Sequence, residues 1–345
     1  MKLGIYGPIT PEALEAYRKL NVSEVFVSVD EAAENMVKQA REEGFKVYAT
    51  IWAFKASSEA QGVENVHGEK RLWMGSGCPN NPTVKEHCLS RVEKALSSLK
   101  IDGVVLDGVR FPSPGSGVSA FLTCFCTHCR ERAEELGCDL AGIKHFLKDL
   151  KDPTLFIKAS LTYPGGLNPL SEWLRFRCHS IAEMVKRVKL LLRDVNPHAK
   201  LGAAVFTPTL APLVGQDYAS LASYLDFIQP MIYHKGDGIA CINFELAKLV
   251  EEYSESKLEE KRFLMEIYRE TGFNGPLDSL RERGLPVKTV SLEAVKRRRL
   301  VGGLKFTPII FILNEDEAGI ERLKAEALKA ELDGLVYFAY FKGLN

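Results

Sequence analysis

The sequence predicts an α/β chain folded as a (β/α)8 barrel, the TIM barrel, with a long insertion after strand 4 and no eighth helix. Three observations predict it. Eight short runs rich in β-branched and aromatic residues alternate with longer amphipathic stretches from end to end. Most of these runs are continuously apolar, as expected of parallel strands covered on both faces. The length, 345 residues, suits one barrel carrying insertions. A doubly wound sheet would need a glycine-rich phosphate turn after the first strand, and Tyr6-Gly7-Pro8-Ile9-Thr10 is not one.

The expected strands are Leu3–Tyr6, Glu24–Val29, Lys46–Trp52, Gly103–Asp107, Leu201–Phe206, Phe227–Tyr233, Phe306–Leu313 and Leu335–Tyr340. The first helix, Thr10–Leu20, opens on Thr-Pro-Glu, with Thr as N-cap and Pro at the first helical position. Glu31–Glu43 should end at Gly44, where a C′ glycine belongs. Thr83–Leu99, Glu172–Asp194, Asn243–Leu258 and Glu315–Ala330 complete the helical set. More than ninety residues separate Asp107 from Leu201, so residues 113–198 are expected to form a subdomain inserted into the single 1–345 barrel. The sequence stops at Asn345, soon after the eighth strand. No eighth helix is then expected over the seam between strand 8 and strand 1, which another element or a second copy of the chain should cover.

Composition narrows the function classes. Lys+Arg and Asp+Glu both number 45, so no global field draws the chain to nucleic acid or an anionic bilayer. No apolar run approaches the roughly 18 residues of a membrane span. The N-terminal MKLGIYGP enters a strand with no signal-peptide core, so a cytoplasmic location is expected, with neither nucleic acid nor membrane as partner. Eight cysteines are too few for a disulfide scaffold of this length.

Three of those cysteines fall within six residues, in Cys124-Phe-Cys126-Thr-His-Cys129. Thiolates suit zinc, which takes four ligands in closed structural sites. A fourth ligand would come from another loop. Cys78, in Gly77-Cys78-Pro79-Asn80-Asn81-Pro82, is preferred, with Cys88, Cys138 and His128 as alternatives. Such a site would be structural, tying two long loops together.

Asp102-Gly-Val-Val-Leu-Asp107-Gly-Val-Arg110-Phe111-Pro112 carries the second signal. An apolar strand ending in Asp places a carboxylate at the C-terminal mouth, where barrels assemble their sites. Arg110 is expected to pair with Asp107, holding it ionised and oriented. Tyr6, Trp52, Gln229, Tyr233, His234 and Tyr340 lie on or just beyond strands that feed the same rim, and stacking rings with hydrogen-bonding tips there suit a sugar. Arg175 and Arg177 could reach the mouth, although a salt bridge within their own helix is the expectation.

The strand 4 segment Asp-Gly-x-Arg-Phe-Pro, followed by Cys-Phe-Cys-x-x-Cys, resembles glycoside hydrolase-like barrels of the family 10-like and amylase-like groups. Phe227-Ile-Gln229-Pro-Met-Ile-Tyr233 is similar to their Pro-Met-x-Tyr strand, and the cysteine arrangement is similar to the zinc site of family 42 β-galactosidases. The resemblance implies structural zinc on Cys78, Cys124, Cys126 and Cys129, a carbohydrate substrate, and a catalytic carboxylate at Asp107. The chain departs from family 42 in having Leu106-Asp107 where those enzymes carry Asn-Glu. It departs from the amylase-like pattern in having no Glu after strand 5, which ends Val205-Phe206-Thr207-Pro208.

Glycoside hydrolysis in most families needs two carboxyl groups, roughly 5–5.5 Å apart for retention and 6.5–9.5 Å for inversion. Glu315 after strand 7 and Asp237 after strand 6 are the candidates to partner Asp107. Glu315 also sits in Asn-Glu-Asp-Glu-Ala, a sequence suited to a helix N-terminus. The leading expectation is therefore a glycoside hydrolase. The alternative is a non-catalytic carbohydrate-binding or scaffold barrel. A metal-dependent hydrolase is disfavoured, because the mouth lacks a His/Asp cluster for an open metal site.

Overall fold

The computed structural model describes residues 2–296, 300–313 and 315–338. Its strands are β1 (Lys2–Tyr6), β2 (Glu24–Ser28), β3 (Lys46–Trp52), β4 (Gly103–Asp107), β5 (Lys200–Phe206), β6 (Phe227–Met231), β7 (Lys305–Phe306 and Ile309–Phe311) and β8 (Gly334–Phe338). Each pairs in parallel with its sequence neighbour, and β8 pairs with β1 from Lys2↔Gly334 to Tyr6↔Phe338. The barrel is closed.

The seventh strand is broken where one continuous segment was expected. Pro308 has no N–H for the ladder, so the chain pairs with β6 as two short pieces on either side of it. The sixth strand ends at Met231, two residues short of the expectation. The expected helix Asn243–Leu258 is two helices, Ile242–Tyr253 and Lys257–Thr271, the second opened by a capping box between Ser256 and Glu259. Leu277–Arg283 and Thr289–Val295 follow before β7 and were not anticipated. The absence of an eighth helix and the candidate Tyr340 concern residues 339–345, outside the described residues.

Helix starts follow a repeated local rule. Thr10, Asn81 and Asn168 each precede a proline, and each side chain accepts a backbone N–H from the first turn that follows. Helix Pro169–Val195 packs along helix Pro82–Ser98 on the outside of the barrel. Residues 113–168 add four shorter helices, Val118–Phe121, Thr127–Leu136, Leu140–Asp149 and Thr154–Leu161.

The barrel interior is filled with aromatic rings. Tyr6, Phe26 and Tyr48 stack in sequence at 4.9 and 5.2 Å, and Phe227 meets Tyr48 edge-on at 5.3 Å. Glycine makes the room: a Cβ at Gly4 would lie 2.7 Å from the Phe26 ring, and one at Gly202 would lie 2.3 Å from Phe227. Large rings on some strands are thus matched by absent side chains on their neighbours.

Candidate active site and metal centre

Paired residues on adjacent parallel strands point to the same side of the sheet. The register Trp52↔Asp107 on β3 and β4, Phe206↔Met231 on β5 and β6, and Phe311↔Phe338↔Tyr6 on β7, β8 and β1 therefore defines one inward-facing set at the C-terminal rim. Asp107 belongs to that set, half-buried at the end of β4. Its Oδ1 accepts the Gly108 N–H at 2.7 Å. Burial raises its pKa, while the Gly108 N–H and the charge of Arg110 pull the other way and do not prevail.

Trp52 is fixed beside it. The indole N–H donates to Ser76 Oγ at 2.6 Å, and the ring lies against Gly108, where a Cβ would come within 2.8 Å of it. Gly108 has φ +60°, so glycine serves both the turn and the close approach. Tyr6 donates to Gln229 Oε1 at 2.7 Å, and Gln229 Nε2 is buried without a partner among the described residues. Tyr233 packs against Phe311 and Phe338. Burial raises the pKa of both Tyr6 and Tyr233, and the charge of Asp107 raises each further. The three polar groups thus share one region.

Arg110 corrects the expectation of an Asp107 pair. No carboxylate lies within ion-pair distance of it among the described residues. Its guanidinium is sandwiched between the rings of Trp73 at 4.4 Å and Phe206 at 4.8 Å, and it donates to the Phe111 carbonyl at 3.1 Å. Burial lowers its pKa to about 10, against the opposing charges of Glu245 and Asp107. It acts on Asp107 through space, not as a salt bridge.

Glu315 follows β7, and its Oε1 lies 4.0 Å from Nε2 of His234, which follows β6. Burial, helped by Lys235, lowers the His234 pKa to about 4, so its imidazole is neutral near pH 7. The N-cap of helix Glu317–Leu328 is Asp316, not Glu315, which leaves the Glu315 carboxylate free of that duty. Asp237 is exposed on the turn after β6.

Two residues at the site escaped the sequence reading. Trp73 sits in a tight turn closed by reciprocal Trp73 and Ser76 backbone hydrogen bonds. An aromatic beside Gly75 and Gly77 just before Cys78 was the available signal. Glu245, fully buried on helix Ile242–Tyr253, accepts hydrogen bonds from Ser113 Oγ, the Gly115 N–H and the Ala240 N–H. It clamps the segment after β4 to the one after β6. Nothing local distinguishes it from other helical acids, since two of its partners lie 130 and 132 positions away.

The four-cysteine cluster is built from the connections that follow β3 and β4. Hairpin strand Val63–Glu64, in the long connection after β3, runs beside residues 122–125, with Val66 N–H bonding to Leu122 O and Phe125 N–H to Glu64 O. This brings Cys78 to Cys124, Cys126 and Cys129. All four are buried, and their sulfurs lie within 4.8 Å of one another. A tetrahedral thiolate site with metal–sulfur bonds of about 2.3 Å has sulfurs about 3.8 Å apart. Here Cys78 lies 3.5 Å from both Cys126 and Cys129. N–H groups of Glu64 and Asn80 point at Cys124 and Cys78, and Asn80 Nδ2 points at Cys129, each at 3.3–3.4 Å. Such donors favour thiolates and fix ligand orientation. The donor set fits a metal ion. Cys88, Cys138 and His128 lie outside it.

Among the described residues, neither Arg175 nor Arg177 forms the salt bridge expected within its helix. Arg175 donates to the carbonyls of Pro164 and Gly166. Arg177 is fully buried, with its guanidinium over Trp173 at 4.3 Å and Phe111 at 4.8 Å.

No protein-family model matches the sequence, and no curated protein matches it. Solved structures do. The glycoside hydrolase domain of PgaB (BpsB) from Bordetella bronchiseptica superposes with a TM-score of 0.58 at 10% identity, over 98% of this chain and 93% of that one. A β-galactosidase from the Antarctic haloarchaeon Halorubrum lacusprofundi gives 0.61 at 13% identity, over 100% of this chain and 53% of that one. A β-galactosidase from Bacillus circulans sp. alkalophilus gives 0.58 at 12% identity, over 100% and 51%. This chain thus spans about half the length of the β-galactosidases. At such identities the likeness is one of fold. The chain is a (β/α)8 barrel with glycoside hydrolases among its solved structural neighbours, and it carries a buried four-cysteine cluster able to hold a metal ion.

Proposed function

We propose that the protein hydrolyses a glycosidic bond of a carbohydrate at the C-terminal mouth of the barrel. The observation that carries this reading is Asp107: it faces inward at the rim of β4, lies beside Trp52, and is more readily protonated than an ordinary aspartate. A carboxyl group with a raised pKa suits a general acid. Asp107 would protonate the departing glycosidic oxygen as the anomeric C–O bond breaks. The second carboxylate would attack the anomeric carbon or activate the water that does. Glu315, across the barrel, is the preferred second group, and Asp237 is the further candidate. Tyr6, Trp52, Arg110, Gln229, Tyr233 and His234 would bind the sugar. Cys78, Cys124, Cys126 and Cys129 would hold zinc, which supplies cross-linking of the two long loops and takes no part in bond cleavage.

A panel of aryl glycosides tests the proposal. Turnover of one of them, reduced about 10²- to 10⁴-fold by Asp107→Asn and by Glu315→Gln, is the expected result. Saturable sugar binding without turnover would favour the alternative, a non-catalytic binding barrel. One observation favours that second reading: among the described residues Asp107 accepts a hydrogen bond from the Gly108 N–H, and no carboxylate is hydrogen-bonded to it.

The same reading puts the protein in the cytoplasm, in keeping with eight cysteines of which none is in a disulfide among the described residues. No described helix is long and apolar enough to cross a membrane. A second copy is proposed to cover the β8–β1 seam, and light scattering that shows a strict monomer would remove that part.

A further inference from the structure

Arg177 is a fully buried cation with no carboxylate at ion-pair distance among the described residues. Its Nη2 donates to Pro112 O at 2.8 Å and its Nη1 donates to Leu213 O, while Nε has no partner. Rings of Trp173, Phe111 and Phe121 enclose it. Two carbonyl dipoles and three ring faces solvate a guanidinium but do not neutralise it, and a buried charge without a counter-charge is costly. The helix of Arg177 lies against the cysteine cluster: Asn80 Nδ2, which points at Cys129, also donates to Ser180 Oγ at 3.1 Å, three positions beyond Arg177, and the Trp173 ring beneath the guanidinium donates to the carbonyl of Thr123, next to Cys124, at 3.3 Å. Burial lowers the Arg177 pKa to about 9, while the sulfurs of Cys178, Cys124 and Cys129 pull the other way. Cys178, the next residue along the chain, is no counter-ion, because burial pushes its thiol up to about 12. Arg110, the neighbouring guanidinium, adds repulsion.

The four cysteines resolve this imbalance. Four thiolates around a divalent ion carry a net double negative charge, itself buried and in need of nearby positive charge. Asn80 and the Glu64 N–H supply dipoles only. We propose that Arg177 is the buried counter-cation of a metal–tetrathiolate cluster formed by Cys78, Cys124, Cys126 and Cys129, an inference that rests on the reading of those residues as a zinc site. Its two hydrogen bonds extend the consequence. Pro112 lies five positions after Asp107, and Leu213 precedes Val214, whose carbonyl accepts the Phe111 N–H at 2.9 Å. The charge of the cluster thus helps hold a side chain that clamps the segments following β4 and β5. Arg177 is a positioning residue in this account.

The test measures zinc dissociation from the whole purified chain by competition with a chromophoric chelator, with the absorption of the Co²⁺-loaded protein as a second readout. Arg177→Met removes the charge and keeps much of the volume; it should weaken zinc binding about tenfold to a hundredfold. Arg177→Gln keeps one N–H donor for Pro112 O without charge, and it serves if the Met variant does not fold. Arg177→Lys, smaller but cationic, should recover most of the affinity. Uncharged variants that hold zinc as tightly as the wild type would overturn the inference while leaving the metal reading intact. So would a Lys variant as weak as the Gln variant, because shape and not charge would then govern. A folded wild type that binds no zinc would remove the metal reading and this inference together.

Discussion

Tyr6, at the top of β1, reaches across the barrel and donates a 2.7 Å hydrogen bond to Oε1 of Gln229 on β6. The bond joins β1 to β6 across the space the strands enclose. It satisfies the Gln229 carboxamide oxygen, while Nε2 is buried with no partner among the described residues.

Tyr6→Phe would keep the ring stack with Phe26 and leave the Gln229 amide wholly unpaired. A loss of about 1–3 kcal/mol is expected, the cost of an unsatisfied buried polar group. Urea unfolding measures it. A variant as stable as the wild type would show that Gln229 has another acceptor or donor, such as an ordered water.

Gly108→Ala should harm the site more than the fold. The new Cβ would sit 2.8–2.9 Å from the Trp52 indole, on a backbone at φ +60° that side chains rarely adopt. We expect about 1–3 kcal/mol of destabilisation from that strain. The loss of sugar affinity should exceed that of Ala substitutions elsewhere on the rim, because Trp52 must move. Unchanged Trp fluorescence and unchanged affinity would argue against the packing described.

Asp107 makes a prediction about pH with a definite sign. Burial raises its folded-state pKa above the ordinary value of about 3.9, so the folded chain holds this proton more tightly than the unfolded one. The stability that this contributes is complete below about pH 4 and is lost as pH rises through the raised value. Asp107→Asn cannot ionise and should melt at a higher temperature than the wild type near neutral pH, with the gap closing toward pH 4. Activity should fall at the same time, and wild-type turnover should decline on the alkaline side as Asp107 gives up its proton. A variant that melts below the wild type at pH 7 would contradict the burial argument.

Removal of the metal should loosen one side of the barrel. Structural zinc contributes folding energy directly. Chelation, or Cys126→Ser, should lower the melting temperature and release protection of the amides in residues 61–81 and 122–130 before those of the strands. Hydrogen exchange followed by mass spectrometry reads this. Metal analysis should find zinc at a stoichiometry near one. A chain that is free of metal and equally protected would defeat the zinc proposal.

Particular residues show how far the sequence could be read. Strands β1 to β6 and β8 were legible because apolar runs between turn signals are local facts. The eighth was seen only as far as Phe338 within the described residues. The break at Pro308 could have been foreseen, since a proline cannot donate to a ladder, but its apolar neighbours masked it. The cysteine cluster was legible for a different reason: three ligands lie on one turn, so spacing alone nearly builds the site. Cys78 required a second loop to fold back, and the Val63–Glu64 hairpin strand does that.

Charge was the hard part. Sequence proximity suggested an Asp107–Arg110 pair and a salt bridge for Arg177. Arg110 instead lies between Trp73 and Phe206 from distant segments, and Arg177 lies against Phe111 as well as Trp173 of its own helix, because packing and not spacing alone decides what surrounds a cation. Glu245 is the same lesson reversed: an ordinary helical acid becomes a buried clamp only when Ser113 and Gly115 arrive. By itself, the sequence determined the strand order, the acid at the end of β4 and three of the four clustered cysteines, since each depends on neighbours along the chain. Only the tertiary structure decided which charges are paired, which are merely enclosed, and that Asp107 holds its proton more tightly than an ordinary aspartate, because burial and long-range contact do not exist until the barrel closes.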